Sequence, residues 1–350
     1  MKLNKLYIIV AALVLFLILS LSAACEKVLE LTEESVSETV EELTEELDIE
    51  TFTEAAEEEE QNDETIEAEV EVPVFQEKLD EIEQTYSMEF RQYLETLDED
   101  YLESLLDDDN AVKQECDLFD WRNTFYENNI IFTADGNIFP SNWYGSGIDA
   151  KAESLSAGEV ERSKSIMITA LDKYPTLLLK NNLKSVYVLK SMIFYGVNYG
   201  GTNSPPDIVY VVNDGVSMGY TDIVIEKTFH HEFSSVLKYN YGFDETAWRQ
   251  VNPAGFVYFD EATGGAGAIK AGKASQVFDL KEHEIGFLYE YAESTLENDL
   301  NSFAENIFMG EESFFNIIES YDKLEMKLDL IVAFYNSLDP MFTVEYFKGL

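Results

Sequence analysis

The stretch from Thr228 to Ser235 reads Thr-Phe-His-His-Glu-Phe-Ser-Ser and contains two of the three histidines in the chain. Its surroundings predict a helix from Asp222, which we expect to be the N-cap, to Tyr241, because Gly242 follows as a stop signal. The apolar side chains of this helix fall on one stripe, formed by Ile225, Phe229, Phe233, Val236 and Leu237. That stripe is expected to bury against a sheet, which leaves the face with His231 and Glu232 free to line a cleft.

Short apolar runs before this helix predict the sheet. The run Ile208–Val212 consists of β-branched and aromatic residues and ends at Asn213-Asp214-Gly215, so it predicts a buried strand. Val186–Leu189 and Ile193–Val197 have the same composition and predict two more strands, and Asn198–Pro206, rich in Gly, Asn and Pro, predicts a loop. From Leu280 onward the apolar spacing indicates helix after helix. The sequence therefore predicts an α+β domain over residues 111–350, with a small sheet and a predominantly helical C-terminal half.

The stretch around His231 nearly spells the motif His-Glu-x-x-His. In that motif two histidines one helical turn apart bind Zn²⁺, and the glutamate between them is the general base that activates the metal-bound water. The second histidine is replaced by Ser235 when counted from His231, and by Ser234 when counted from His230. The motif is thus present in outline and lacks one metal ligand.

Several further segments follow in the order seen in one bacterial family. They are Tyr195–Thr202, His230–Phe233, Gly286–Phe287 with Tyr289–Ala292, Glu297–Asp299 with Phe303–Glu305, and Phe334–Tyr335 with Asp339–Pro340. Together they resemble the zinc-binding metallopeptidase lipoproteins of bacteria, which are similar to the catalytic domain of anthrax lethal factor. The resemblance covers about residues 160–348. It implies a zincin-like fold, a Zn²⁺ cofactor and hydrolysis of peptide bonds.

The resemblance also implies roles for individual residues. His231 takes the position of the first zinc ligand and Glu232 that of the catalytic general base. The later ligand of the family is a glutamate, and Asn301 stands at its position. Glu297 and Glu305 lie four residues to either side of Asn301 on the same helical face, so either carboxylate is expected to supply the metal ligand instead.

The other two histidines differ in their suitability for the same metal shell. His283 precedes the family-like segment Tyr289–Ala292 and is a further candidate ligand, because zinc accepts nitrogen and oxygen ligands at an open four-coordinate site. His230 and His231 are adjacent and point about 100° apart on a helix, so they do not easily bind one metal ion together.

These residues leave two functions open. One is a zinc-dependent metallopeptidase of the cell surface with an atypical metal site. The other is a non-catalytic lipoprotein that binds a peptide or protein on the same scaffold. The first requires a Lewis acid that lowers the pKa of bound water, whereas the second requires only the groove. In both, the expected partner is a peptide or protein.

The N-terminus has the features of a secretory signal. Lys2 and Lys5 precede an apolar run from Leu6 to Leu19, and small residues lead from there to Cys25. This end resembles a bacterial lipobox, so residues 1–25 are expected to be a lipoprotein signal peptide with a lipid on Cys25. The alternative is a transmembrane anchor, because the run approaches the length of a spanning helix. Both interpretations place the chain outside the cytoplasm, the first as a lipid-anchored protein of the bacterial cell membrane.

The net charge of −46 is concentrated near the N-terminus. Residues 26–75 contain 21 acidic residues and one lysine, so they are expected to form a disordered acidic linker. Residues 76–110 predict a helical neck. Nucleic acid is excluded as a partner, because binding it requires basic patches and the chain has 23 Lys and Arg against 69 acidic residues. If Cys25 is lipidated, Cys116 has no partner and no disulfide framework is expected.

Overall fold

The computed structural model describes residues 74–350. The predicted signal peptide, Cys25 and nearly all of the predicted linker lie outside the described residues and stay predictions. Residues Val72–Leu350 group into one compact unit. Within the described part, no helix is both long enough and apolar enough to span a membrane.

Four helices begin the described chain: α1 (Val74–Thr85), α2 (Met88–Leu94), α3 (Glu99–Leu106) and α4 (Asp109–Asn128). The predicted neck over 76–110 thus consists of three short helices. Ser87 and Asp98 each start a new helix, because their side chains accept hydrogen bonds from backbone N–H groups of the following turn. The helices pack around a small core of their own, formed by Leu79, Ile82, Phe90, Leu94, Leu102, Leu105, Leu106, Val112 and Cys116.

A six-stranded sheet carries the cleft that is described below. Its strands are β1 (Ile130–Ile131), β2 (Lys151–Ser154), β3 (Ser185–Phe194), β4 (Val197–Tyr199), β5 (Gly201–Ser204) and β6 (Ile208–Val212). Strands β1, β3, β6 and β5 lie side by side in that order, and β2 and β4 pair with β3. The pairs β1–β3 and β3–β6 are parallel, and the others are antiparallel. Strand β5 therefore forms one edge of the sheet.

Strand β3 differs from the prediction of two separate strands. It runs without a break through Lys190 and Ser191, which interrupt the apolar pattern. There β3 extends beyond β6 and pairs with β2, and Lys190 contacts Glu153 at the exposed surface (3.2 Å). The chain then turns at Tyr195 and Gly196, both with positive φ, into the hairpin strand β4.

Two helices lie between β2 and β3, and one long helix follows β6. The first two are α5 (Val160–Asp172) and α6 (Thr176–Asn182), and the long helix is α7 (Asp222–Tyr241), with the predicted bounds. Its N-cap is Thr221 rather than Asp222, because the Thr221 hydroxyl accepts the hydrogen bond from the Val224 N–H group. The predicted apolar stripe is fully buried, and α7 packs against β5, β6 and α5.

The C-terminal half is helical, as predicted. Its helices are α8 (Glu245–Val251), α9 (Ala266–Lys270), α10 (Leu280–Ile285), α11 (Leu296–Ile307), α12 (Glu312–Ile318), α13 (Asp322–Leu338) and α14 (Val344–Lys348). The predicted α+β class, with a small sheet and a predominantly helical second half, is confirmed. Helix α11 packs against α7, and all of its residues except Glu297 are buried, although seven of the twelve are polar. Buried polar groups need hydrogen-bond partners. The many polar side chains of α11 therefore indicate that this helix belongs to the candidate functional site.

Candidate functional site

A cavity of about 900 Å³ opens between β5, α7 and α11, and we call it the cleft. Its walls carry apolar and aromatic side chains, among them Trp143, Phe194, Tyr195, Tyr199 and Phe278. Its floor carries charged and amide side chains, namely His231, Glu232, Glu297, Asn301 and Glu305. A concave apolar surface with a few convergent polar groups is the usual form of a ligand site.

His231 forms an ion pair on the cleft floor. Its Nδ1 lies 2.7 Å from Oε2 of Glu305, and the hydroxyl of Tyr289 donates a hydrogen bond to Oε1 of the same carboxylate (2.8 Å). Burial by itself lowers the pKa of His231, but the hydrogen bond and charge of Glu305 outweigh it and raise this pKa to about 9. Glu305 thus stabilises the charged form of the imidazole and fixes the orientation of its ring.

Ser235 and Asn301, the two residues that depart from the family pattern, bind each other. The Asn301 amide Nδ2 donates to the Ser235 hydroxyl (2.7 Å), and that hydroxyl donates to Oε1 of Glu297 (2.8 Å). The positions where the resemblance implies a histidine and a glutamate ligand are thus joined in one hydrogen-bond chain. Among residues 74–350, no three His, Cys, Asp or Glu side chains are placed to hold a metal ion together. The residues present do not fit the implied Zn²⁺.

Glu232 lies directly beneath the edge strand. Burial raises the pKa of its carboxyl to about 7, although the charge of His231 and a hydrogen bond from Asn203 oppose that shift. The Asn203 amide Nδ2 donates to Oε2 of Glu232 (2.8 Å). The strand approaches so closely because residue 201 is glycine. A Cβ atom there would lie 2.5 Å from Thr228 Cγ2 and 2.7 Å from Glu232 Oε1.

Gly201→Ala is therefore expected to lower the free energy of unfolding by about 1–3 kcal/mol, because the added methyl group overpacks the contact between β5 and α7. Gly200→Ala is the matched control. A Cβ atom at residue 200 meets nothing within 4 Å, so its effect should stay below about 1 kcal/mol. Urea denaturation of the two variants checks the difference. Equal stability of the two would show that β5 does not rest on Glu232.

The other two histidines do not take part in the cleft floor. His230 is completely buried, accepts or donates at Nδ1 with the Tyr174 hydroxyl (2.9 Å), and stacks on Phe308. Burial lowers its pKa to about 4. His283 was expected as a metal ligand, but its Nε2 contacts the Leu288 carbonyl (3.1 Å) and its side chain is not part of the cleft lining. The structure brings His231, Glu232, Glu297 and Glu305 together and leaves His283 outside.

Three residues beside these side chains were given no role in the prediction. Asn203 comes from a segment rich in Gly, Asn and Pro that was expected to be a loop, and no pattern singled it out. Tyr289 lies in a family-like segment, but its contact with Glu305 depends on how α10 and α11 are joined. Asn298 lines the cleft, and its amide Nδ2 donates to the Ser294 hydroxyl (2.8 Å). It belongs to the family-like segment Glu297–Asp299, which is the signal that could have indicated it.

Comparison with known proteins gives one distant neighbour. No family profile and no curated protein matches the chain. A solved structure from Bacteroides caccae, a "putative zinc-binding metallo-peptidase", is similar with a TM-score of 0.40 and 13% sequence identity. The similarity covers 66% of this chain and 92% of that chain. At this distance the neighbour assigns neither a cofactor nor an activity to the chain.

Proposed function

We propose that the cleft binds an extended segment of a peptide or protein and that it does so without zinc-dependent hydrolysis. The observation that carries the proposal is the free edge of β5. Val212 N–H donates to the Gly200 carbonyl (2.8 Å), and residues 201 to 204 pair in register with residues 211 to 208 of β6. Hydrogen-bonded and non-hydrogen-bonded pairs alternate in an antiparallel ladder, so the N–H and C=O groups of Gly201 and Asn203 point away from β6.

An added strand would satisfy these backbone groups. Residues Gly200–Asn203 all line the cleft, so a peptide lying in it can pair with β5 through main-chain hydrogen bonds. Successive side chains of such a strand point to opposite faces. One set would reach the aromatic walls and the other the charged floor, which is how strand addition combines affinity with selectivity.

The metallopeptidase function implied by the resemblance is less well supported. At the ligand position 235 stands a hydroxyl that binds Asn301 and Glu297. Glu305, the other candidate carboxylate, binds His231. The groove itself needs none of these ligands. Non-catalytic binding on the same scaffold is therefore the better account of the cleft.

The proposal includes the location of the protein. The apolar run before Cys25 supports a lipid-anchored chain on the outer side of the bacterial cell membrane, with the acidic segment as a spacer that keeps the cleft away from the surface. A cleft at that place would meet peptides and proteins outside the cytoplasm.

Asn203→Pro is expected to weaken peptide binding about tenfold more than Asn203→Ala, because only proline removes the N–H group that faces the cleft and leaves a peptide carbonyl unpaired. Proline is tolerated on an edge strand when its N–H would point outward. Both variants lose the side-chain contact with Glu232, so alanine controls for it.

The probes are peptides selected by the full-length protein from a random decapeptide library, and their affinities are measured by isothermal titration calorimetry. Equal loss in the two variants would contradict strand addition. A library from which the protein enriches no peptide would contradict peptide binding itself.

A further inference from the structure

We infer that the cleft floor holds a primary ammonium group of the bound peptide, from a lysine side chain or a free N-terminus, between Glu232, Glu297 and Asn301. This inference rests on the proposed function, because the peptide delivers the group. It assigns the class of ligand that the cleft selects.

The charges of the cleft are the first ground. Its lining contains five charged side chains: Lys227, His231, Glu232, Glu297 and Glu305. His231 pairs with Glu305, and Lys227 Nζ donates to Oδ1 of Asn306 (2.8 Å). In the described part of the chain, Glu232 and Glu297 have no ion-pair partner. Two buried or half-buried carboxylates without a cation favour a positively charged ligand, because desolvated charge is costly until it is paired.

An unpaired amide oxygen is the second and independent ground. Asn301 is 1% exposed and lines the cleft, and its Nδ2 is used by Ser235. Its Oδ1 is buried without a hydrogen-bond partner among the described residues. A buried acceptor that lacks a donor costs free energy, and a ligand that donates to it recovers that cost.

The number and type of free atoms match an ammonium group. Asn203 occupies Oε2 of Glu232, and Ser235 occupies Oε1 of Glu297. Oε1 of Glu232, Oε2 of Glu297 and Oδ1 of Asn301 remain, and all three are acceptors. An ammonium group has three donors and no acceptor. Oε1 of Glu232 lies close to Gly201 of β5. A side chain that points toward the cleft floor from a peptide paired with β5 can therefore reach these acceptors.

The test uses two capped heptapeptides, acetyl-Thr-Ala-Thr-Lys-Thr-Ala-Thr-amide and the same peptide with Nε-acetyl-lysine, titrated calorimetrically into the full-length protein. The lysine peptide should bind about 10–100-fold more tightly, because charge-assisted hydrogen bonds are lost on acetylation. A third peptide with a free N-terminus and alanine in place of lysine identifies the source. If it alone gains affinity over its acetylated form, the N-terminal amine is the bound group, which also supports the inference.

Two variants locate the group. Glu297→Gln and Glu232→Gln should each reduce the preference for the free amine at least several-fold, whereas Glu284→Gln, which removes an exposed charge outside the cleft, should retain it. A retained preference in both floor variants would overturn the inference. The inference would also be overturned if the unmodified protein bound the lysine and acetyl-lysine peptides equally and bound the third peptide no more tightly than its N-acetylated form, comparisons that do not depend on any variant folding. Equal, measurable binding leaves the proposed function standing, whereas enrichment of no peptide by the full-length protein from the decapeptide library overturns that function as well.

Discussion

Lys327→Met is expected to lower the free energy of unfolding by about 3–5 kcal/mol, since it leaves a buried carboxylate without its cation. Lys327 and Asp299 are both fully buried, and Lys327 Nζ lies 2.6 Å from Oδ2 of Asp299. The ammonium group also donates to the Gly286 carbonyl (2.7 Å). Trp248 Nε1 and the Tyr258 hydroxyl donate to the same carboxylate oxygen. The pair thus joins α8, α11 and α13 behind the cleft floor.

Burial shifts the pKa values of Asp299 and Lys327 in opposite directions. It raises the pKa of the Asp299 carboxyl and lowers that of the Lys327 ammonium, while the charge of each residue opposes the shift of the other. Removing either partner therefore removes the interaction that keeps the other one charged. The packing of Lys327 over the Phe287 ring (4.0 Å) is kept in large part by methionine, so the loss reports mainly on charge.

Urea denaturation of the full chain measures this prediction. Lys323→Met is the matched control, because Lys323 lies one turn earlier on α13, is partly exposed and makes one long contact with a carbonyl (3.5 Å). Its effect should stay below about 1 kcal/mol. A similarly small effect of Lys327→Met would show that the buried pair is not needed for the fold.

The helices and strands next to the cleft were predictable where the pattern of apolar residues was strong. The helix over 222–241 and the strand Ile208–Val212 have the expected bounds, because an apolar stripe and a β-branched run define them locally. Strand β5 and the last two residues of β4 were expected to be a loop. Their residues are mostly Gly, Asn and Ser, and they become strands only because β3 and β6 offer them partners.

The sequence predicted which face of a helix carries the site residues, but not which side chains contact each other. The spacing of Glu297, Asn301 and Glu305 placed all three on one side of a helix, and the structure brings that side to His231. Which of Glu297 and Glu305 would supply the metal ligand was left open. In the structure Glu305 contacts His231 and Glu297 contacts Ser235, which depends on how α11 packs on α7. His283 lies close to Tyr289 in the sequence, but its side chain does not line the cleft as that of Tyr289 does. Proximity in sequence was therefore not enough to predict a site residue.

The departures from the family pattern have a common physical basis. Ser235 and Asn301 were each identified as residues that cannot serve as the expected zinc ligands. The structure adds that they replace those ligands as a pair, because the hydroxyl and the amide satisfy each other and hold Glu297. The residue type at either position alone does not show that the two side chains bind each other.

Restoring both ligands is expected to create a zinc site. Ser235→His places a second imidazole one helical turn from His231, and Asn301→Glu places a carboxylate where the amide now contacts residue 235. Nδ1 of His231 stays bound to Glu305, which is the usual outer-shell support for a histidine that ligates through Nε2. Zinc bound at such a shell contributes several kcal/mol to folding, up to about 10–16 kcal/mol in small zinc domains. Each single variant lacks one ligand and should gain far less.

The zinc content of the full-length chain tests the central claim most directly. The protein is dialysed against buffer with Zn²⁺ and then against buffer without it, and bound metal is counted by inductively coupled plasma mass spectrometry. The unmodified chain is predicted to retain no stoichiometric zinc, and the Ser235→His/Asn301→Glu variant about one ion per chain. One zinc ion per unmodified chain, lost in His231→Ala, would contradict the account and restore the metallopeptidase interpretation.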